Sequence, residues 1–466
     1  MSERLASVQL WLTMAVVGLA PTFFGSVDLF WIALWTVFLS IAALLGPHSI
    51  LNSAQTRAVV VFVFICAAYA LIAVAQTTPS VFTKLNDPIW KKAAEVFGTD
   101  ANSRISSHAK IPRAAMGHSL LFAMAVVNGF WIGTSRRQTA KLIRFIQAMI
   151  LLAAVYALIS FFLMPNMLLW VEKTSYGDSL TTPFVNHNTA ATFFGTGTIL
   201  WFCSGLYAAR SVSISTIRSF IEPSSEDNRL YYVVFGFGAA VVCLFALLET
   251  GSRGGLICSC FGLLISALLM IVQKRRSSPL YAILGFIGAF TLVVLLISRT
   301  STIIRRDLFD EARWSIYSTV VEAIKQRPLL GTGLGTFQDI FPAIRSNVIS
   351  GWGVWEQAHS TILEIAFEMG LPMAILCAVQ AIAALFIVAR AAITNEGRKG
   401  SRLAAIAGIA GLSYSHSTID FSLQIPGYLI MFGVLIGCGV ARGLSDSQGR
   451  PAGFRRDTFL MSAGEQ

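Results

Sequence analysis

Charged residues are scarce in this chain. Asp, Glu, Lys and Arg make up 13% of the 466 residues, whereas 55% of the residues are hydrophobic. An average soluble domain has about 25% charged residues. So much apolar surface cannot be buried in one water-soluble core, which indicates a polytopic membrane protein. All seven cysteines lie inside apolar runs, so neither a disulfide framework nor a zinc site is indicated.

The chain also lacks a nucleotide-binding loop. Gly331, Gly333 and Gly335 lie in one predicted turn. A phosphate-binding loop would also need a following Gly-Lys-Ser/Thr and a preceding strand, and neither is indicated here. The net charge of +11 does not indicate a nucleic-acid partner, because the basic residues lie in short loops between apolar runs, where they act as topology signals. No cofactor is therefore expected.

The hydropathy pattern predicts an all-α fold with about twelve membrane-spanning helices. Each apolar run has the roughly 17–25 residues that cross a bilayer. The predicted spans are 8–24, 27–45, 57–75, 115–133, 144–165, 187–209, 231–249, 254–273, 279–298, 361–389, 402–418 and 424–441. They form a single membrane domain over 1–441. The polar tail, 442–466, is predicted to be disordered.

Lysines and arginines in the short loops predict the orientation. They concentrate on the side that would carry both termini, so both termini are predicted to be cytoplasmic. Two long loops, about 76–114 and 299–360, then lie on the outer side. The second loop separates spans 9 and 10 and is predicted to be helical. Apolar residues from Trp314 to Ile324 follow helical spacing, and Pro328 ends that helix.

His359 stands at the predicted start of the tenth span. Imidazole titrates near neutral pH, so this residue is a candidate general base or substrate contact. The alternative is an interfacial histidine that only caps the helix. Glu364 and Glu368 follow on one helical face, and acids in an apolar span are functional candidates by default. Near a helix end, however, they can simply reach water.

Arg253 lies in a very short turn after Glu249, between two spans predicted to form a tight hairpin. An arginine there can bind phosphate oxygens with two hydrogen bonds. It can also be a snorkelling residue, but the distribution of basic loops predicts that this turn is on the outer side, where topology arginines are not expected. Glu249 is the candidate partner of Arg253 in the resting state.

Arg313 opens the predicted loop helix, after Arg306, Asp307 and Asp310. Arginines near the headgroups suit an anionic lipid diphosphate, and equally suit ordinary lipid headgroups. The two aspartates could hold a divalent metal, but a solvated charge run is the commoner meaning, so no metal site is predicted. Asn188, at the entry of the sixth span, is either a helix cap or a sugar contact.

Taken in order, these motifs resemble the bacterial O-antigen ligase and O-antigen polymerase superfamily, which includes exopolysaccharide polymerases. The similarity covers roughly 180–390. The motifs that carry it are Phe184-Val-Asn-His-Asn-Thr-Ala190, Thr250-Gly-Ser-Arg-Gly-Gly255, Arg313, Pro328-Leu-Leu-Gly-Thr-Gly-Leu-Gly-Thr-Phe337, Ala358-His-Ser-Thr-Ile-Leu-Glu364 and Glu368-Met-Gly-Leu-Pro372.

The resemblance implies a metal-independent glycosyltransferase on the outer face of the bacterial inner membrane. A single displacement at the anomeric carbon would make it an inverting enzyme. The donor would be a glycan on undecaprenyl diphosphate. The acceptor would be a sugar of lipid A-core in a ligase, or a second lipid-linked glycan in a polymerase. By this resemblance Arg253 and Arg313 bind the diphosphate and His359 activates the acceptor hydroxyl.

Four further residues are supporting candidates: Glu364, Glu249, Asn188 and Arg306. Family members often have asparagine after the histidine, where this chain has Ser360. A lipid-linked glycan flippase or secondary transporter is a more distant alternative, and a structural membrane protein without catalysis is another. Transporters place polar residues at mid-membrane in matching halves, whereas the candidates here cluster at one face.

Overall fold

The computed structural model of the protein describes residues 2–46, 51–80, 82, 84–98, 102–210, 229–273, 311–347, 349 and 355–445. The predicted ninth span, 279–298, lies outside the described residues, as does the tail beyond 445. Arg306, Asp307 and Asp310 lie outside them as well.

The regular secondary structure of the described residues is helical, apart from one hairpin of two-residue strands, β1 (Met167–Leu168) with β2 (Val171–Glu172). The helices are α1 Ser2–Leu19, α2 Leu29–Leu44, α3 Ser53–Thr77, α4 Pro88–Phe97, α5 Ile111–Thr134, α6 Arg136–Leu163, α7 His187–Ala209, α8 Arg229–Glu249, α9 Arg253–Val272, α10 Glu311–Gln326, α11 Phe337–Ile344, α12 Thr361–Met369, α13 Leu371–Thr394, α14 Gly397–Ser417 and α15 Pro426–Leu444. The all-α prediction is confirmed for this part of the chain. The tight hairpin of α8 and α9 and the loop helix α10 are where the sequence predicts them.

Eight helices in the described ranges are long and apolar enough to cross a membrane: α1, α3, α5, α6, α8, α9, α13 and α15. The chain is therefore a multi-pass membrane protein. The total of twelve spans stays a prediction. α2 is apolar but has only 16 residues. α7 and α14 are not among the eight because they are rich in Gly, Ser and Thr, which suits helices packed against other helices.

Close helix packing holds the bundle together. α15 packs along α5, α7 along α8, and α14 along α9. On α5, Gly129 and Gly133 each face the backbone of α15, and Gly437 of α15 faces the backbone of Val126. Any Cβ at these glycines would overlap a neighbouring main chain. Small residues four apart let two membrane helices approach closely, and van der Waals contact then stabilises the pair.

The predicted tenth span, 361–389, is in fact two helices. α12 ends at Met369 and α13 begins at Leu371, because Gly370 adopts a φ of 89° that breaks the helix. The glycine-rich turn explains the break. Thr332 N donates to Phe367 O at 2.9 Å, and Leu371 N donates to Pro328 O at 2.8 Å. Backbone groups that a continuous helix would satisfy internally are satisfied here by this turn.

Substituting Gly370 with alanine should destabilise the protein by about 3 kcal/mol. Its backbone, at φ 89° and ψ 161°, is a conformation essentially reserved for glycine, and a Cβ would overlap the carbonyl oxygen of Leu329. Gly98→Ala is the matched control. Gly98 also has positive φ, at 62°, but has nothing within 4 Å of its Cβ position, so about 1–2 kcal/mol is expected. Thermal unfolding in detergent measures both, and equal effects would contradict the packing argument.

Candidate active site

The connection between α14 and α15, residues 418–425, is where the candidate residues meet, and we call it the 418–425 loop. Its Asp420 is only 1% exposed. One carboxylate oxygen of Asp420 accepts a hydrogen bond from Ser422 N at 2.9 Å, and the other accepts one from Asn188 Nδ2 at 2.9 Å. A buried carboxylate is costly unless it is hydrogen-bonded, and these contacts fix the loop against the start of α7.

A chain of buried hydrogen bonds continues from Asn188 to the start of α9. Ser252 Oγ donates to Asn188 Oδ1 at 2.6 Å and accepts from Gly255 N at 3.1 Å, so Ser252 is the N-cap of α9. Arg253 is the first residue of that helix. Its neighbour Gly254 faces the 418–425 loop: a Cβ there would lie 3.0 Å from Ile419 Cδ1. The Arg253 backbone therefore lies beside the loop.

Arg313 reaches the same loop from α10. Its Nη1 donates to Ile419 O at 3.4 Å. The ring of Tyr176 packs on His187, with 4.6 Å between ring centroids. Tyr176 is within electrostatic range of both Asp420 and Arg313. Burial raises the pKa of Tyr176, Asp420 raises it further, and Arg313 opposes this rise. Arg313 and Asp420 thus lie close to one small region at the N-terminal end of α7.

His359 touches the loop with its ring, which packs against Phe421 at 5.0 Å between centroids. Its backbone has a positive φ of 53°, which non-glycine residues seldom adopt and which clusters at functional sites. Two contacts hold it there. Tyr317 OH donates to His359 O at 2.9 Å, and the preceding Ala358 N donates to Glu364 Oε2 at 2.7 Å.

Glu364 and Glu368 differ in role although they share a helical face. Burial raises the pKa of both carboxyl groups. Glu368, which is 5% exposed, accepts from Phe337 N at 3.0 Å. It thereby holds the start of α11 and is structural. Glu364 holds the backbone directly before His359, so it is placed to position that imidazole.

The structure thus brings His359, Arg313 and the helix start that carries Arg253 to one loop. Asn188 is the buried link between that helix start and Asp420, while its neighbour Asn186 is the N-cap of α7. Glu249 ends α8, and its carbonyl accepts from Leu180 N at 2.9 Å. Arg306, in the part of the chain that is not described, cannot be placed.

Sequence reasoning missed Asp420 and Tyr317. Asp420 lies two residues after the predicted eleventh span, and an acid at the end of an apolar run was a usable signal. Tyr317 was recognised only as an apolar position of α10, because its hydroxyl contact with His359 joins distant parts of the chain. Among the described residues, no three His, Cys, Asp or Glu side chains form a group that could hold a metal ion.

The raised pKa of Glu364 predicts a pH-dependent stability. Above about pH 4.3, the ordinary glutamate value, the unfolded chain releases this proton while the folded protein retains it. Stability should therefore fall as pH rises from that value toward the raised folded pKa. Glu364→Gln, which keeps an oxygen acceptor for Ala358 N, should flatten this slope.

Thermal unfolding in detergent between about pH 5 and pH 8 measures that slope. Glu322→Gln is the control, because Glu322 is exposed on α10 and pairs with the exposed Lys325 at 3.1 Å. An unchanged slope in Glu364→Gln would contradict the assignment of this titration to Glu364.

Residues 238–378 match the family model described as O-antigen ligase. That segment runs from α8 into α13 and contains Arg253, Arg313 and His359. No curated protein matches the chain significantly. The family-model match supports a relationship between residues 238–378 and the O-antigen ligase and polymerase superfamily.

Proposed function

We propose that the protein is an inner-membrane glycosyltransferase of the O-antigen ligase type. It transfers a glycan from undecaprenyl diphosphate to a sugar hydroxyl of lipid A-core on the periplasmic face. One observation carries the proposal: Arg313, His359 and the helix start bearing Arg253 all border the 418–425 loop, within or beside the family-matched segment. Cationic groups and a general base are thus available at one place.

The donor half of the reaction needs positive charge. As the glycosidic bond breaks, the lipid diphosphate takes up the electron pair, and cations aimed at it stabilise that charge. Arg253 and Arg313 can each donate two parallel hydrogen bonds to phosphate oxygens. Arg253 also opens α9, so the N-terminal end of that helix adds positive partial charge. Cleavage of the bond between the anomeric carbon and the lipid diphosphate drives the transfer, and no nucleotide is needed.

The acceptor half needs a base. The attacking sugar hydroxyl loses its proton as its oxygen bonds to the anomeric carbon, and His359 is the group proposed to take that proton. Glu364 and Tyr317 hold the backbone on either side of this imidazole. One displacement from the face opposite the diphosphate inverts the anomeric centre. This scheme assigns every charge-stabilising role to the arginines and therefore works without a metal ion.

Polymerases of the same superfamily would use the same donor half with a different acceptor, a second lipid-linked glycan. A strain lacking this protein tests the choice by gel analysis of surface polysaccharide. A ligase predicts loss of all glycan-capped lipopolysaccharide, restored by the wild-type chain. A single repeat unit on the core would indicate an O-antigen polymerase instead. Loss of exopolysaccharide with unchanged lipopolysaccharide would indicate an exopolysaccharide polymerase.

Variants of His359 and Arg253 distinguish a flippase from a ligase or a polymerase. A lipid-linked glycan flippase or transporter has no need of a general base at one face. Full restoration of the surface glycan by both His359→Ala and Arg253→Ala would overturn the enzymatic proposal.

A further inference from the structure

A cationic cavity lies at the end of the bundle away from the 418–425 loop. It encloses about 350 Å³, which falls within the usual range of ligand pockets. Its charged lining consists of Arg136, Arg398, Lys399, Arg402, Arg442 and Glu396. Five cations face one carboxylate, a formal excess of four positive charges among the described lining residues.

Two helices separate this cavity from the candidate active site. Arg398 and Lys399 are in the first turn of α14, whose last residue precedes the 418–425 loop. α14 has 21 residues, or roughly 30 Å of helix. Arg442 is in the last turn of α15, which begins directly after the loop. The cavity is therefore on the opposite face, the one predicted to be cytoplasmic, and its role does not rest on the proposed transfer reaction.

The lining charges are close enough to affect one another. Burial, with Arg442 and Arg136, lowers the pKa of Lys399 to about 8. Two helix N-termini border the same space, at Arg136 for α6 and at Gly397 for α14. The N-terminal ends of these helices add positive partial charge, which favours anions.

Topology signalling alone does not explain this arrangement. Arginines that only set orientation project into water or among headgroups, whereas Arg442 is 6% exposed. Holding several like charges around a partly enclosed space is unfavourable unless an anion offsets it. Thr139 and Asn395 add polar groups to the lining. The chemistry that fits best is a phosphate group, which accepts several charge-assisted hydrogen bonds at once.

We propose that this cavity binds a phosphate-bearing anion on the face opposite the candidate active site, with Arg136, Lys399 and Arg442 as its principal cations. The phosphate belongs either to the headgroup of an anionic phospholipid or to a small free phosphate compound. A lipid headgroup and a free phosphate compound would be recognised by the same cations, and the experiment below distinguishes between them.

Native mass spectrometry of the full chain in non-ionic detergent provides the test. The probes are dioctanoyl phosphatidylglycerol, inorganic phosphate and, as an uncharged reference, dioctanoylglycerol. Arg136→Gln with Lys399→Gln should weaken binding of the phosphate-bearing probe by at least about tenfold, because a lost charge-assisted hydrogen bond changes affinity by about that factor. Arg137→Gln with Lys141→Gln is the matched control. It removes the same total charge, at two exposed residues of α6 that lie outside the cavity, and should bind like wild type.

Glu396→Gln keeps the test decisive if the cavity variant folds poorly. Glu396 is exposed and makes no side-chain cap to α14. Removing its charge should tighten binding about two- to tenfold, since an opposing carboxylate is lost. Lipid binding without inorganic phosphate binding assigns a headgroup, and equal binding of both assigns a free phosphate compound. The proposal is overturned if neither phosphate probe binds, if dioctanoylglycerol binds equally well, if both double variants weaken alike or if Glu396→Gln binds no tighter.

Discussion

His359→Ala is expected to lower glycan transfer by about 10²–10⁴-fold, the usual contribution of a general base. The assay uses purified protein with a lipid-linked glycan and its acceptor, and measures released undecaprenyl diphosphate. Donor affinity should change little, because the proposed diphosphate contacts come from Arg253 and Arg313. The loss should therefore fall on kcat rather than on the KM for the donor.

His108→Ala is the control for this substitution. His108 lies in the first long loop, and its Nε2 is 3.4 Å from Asp339 Oδ2 with both side chains partly exposed. Such partly exposed surface contacts contribute little to stability, so transfer should be unaffected. If His359→Ala retained more than about a tenth of wild-type kcat, His359 would not be the base, and its strained backbone would need another explanation.

Arg253→Gln and Arg313→Gln are each expected to lower transfer by about 10²–10³-fold, the cost of removing one group that stabilises developing charge. Here the KM for the donor should rise together with the loss in kcat, since the diphosphate is charged before and after bond cleavage. The double variant should lose less than the product of the two single losses, because both arginines act on one leaving group.

Lys325→Gln is the matched control for Arg313. Lys325 is at the far end of α10 and pairs with exposed Glu322 at 3.1 Å, so its removal takes away one cation from the same helix without touching the site. The proposal that Arg253 and Arg313 bind the donor diphosphate would be wrong if Arg313→Gln and Lys325→Gln had the same effect on transfer. It would fail equally if Arg253→Gln left the donor KM unchanged.

Most of the helices were predictable from sequence because membrane spans are set by local hydropathy and length. The tight turn before Arg253 and the end of α10 before Pro328 follow from local rules of the same kind. The break at Gly370 could not be predicted from these local rules, because the sequences of α12 and α13 form one continuous apolar run. The turn around Gly331 interrupts it through hydrogen bonds from residues about forty positions away.

The candidate site was predictable only in part, for the same reason. His359, Arg253 and Arg313 each stood out as a polar residue in an unusual local position. The loop that gathers them did not, because Asp420 acts through Asn188 and Ser252, which are far from it in sequence. The left-handed backbone of His359 likewise depends on Tyr317 and Glu364. Local patterns identify residue types that can do the chemistry, and long-range hydrogen bonds decide where they meet.

A structure of the full chain with a bound undecaprenyl diphosphate-linked glycan would test directly whether Arg253, Arg313 and His359 form one active site. The diphosphate is expected to lie between Arg253 and Arg313, beside the 418–425 loop, with the anomeric carbon facing His359. A diphosphate bound away from both arginines, or a glycan whose anomeric carbon lies out of reach of an acceptor held at His359, would contradict this expectation.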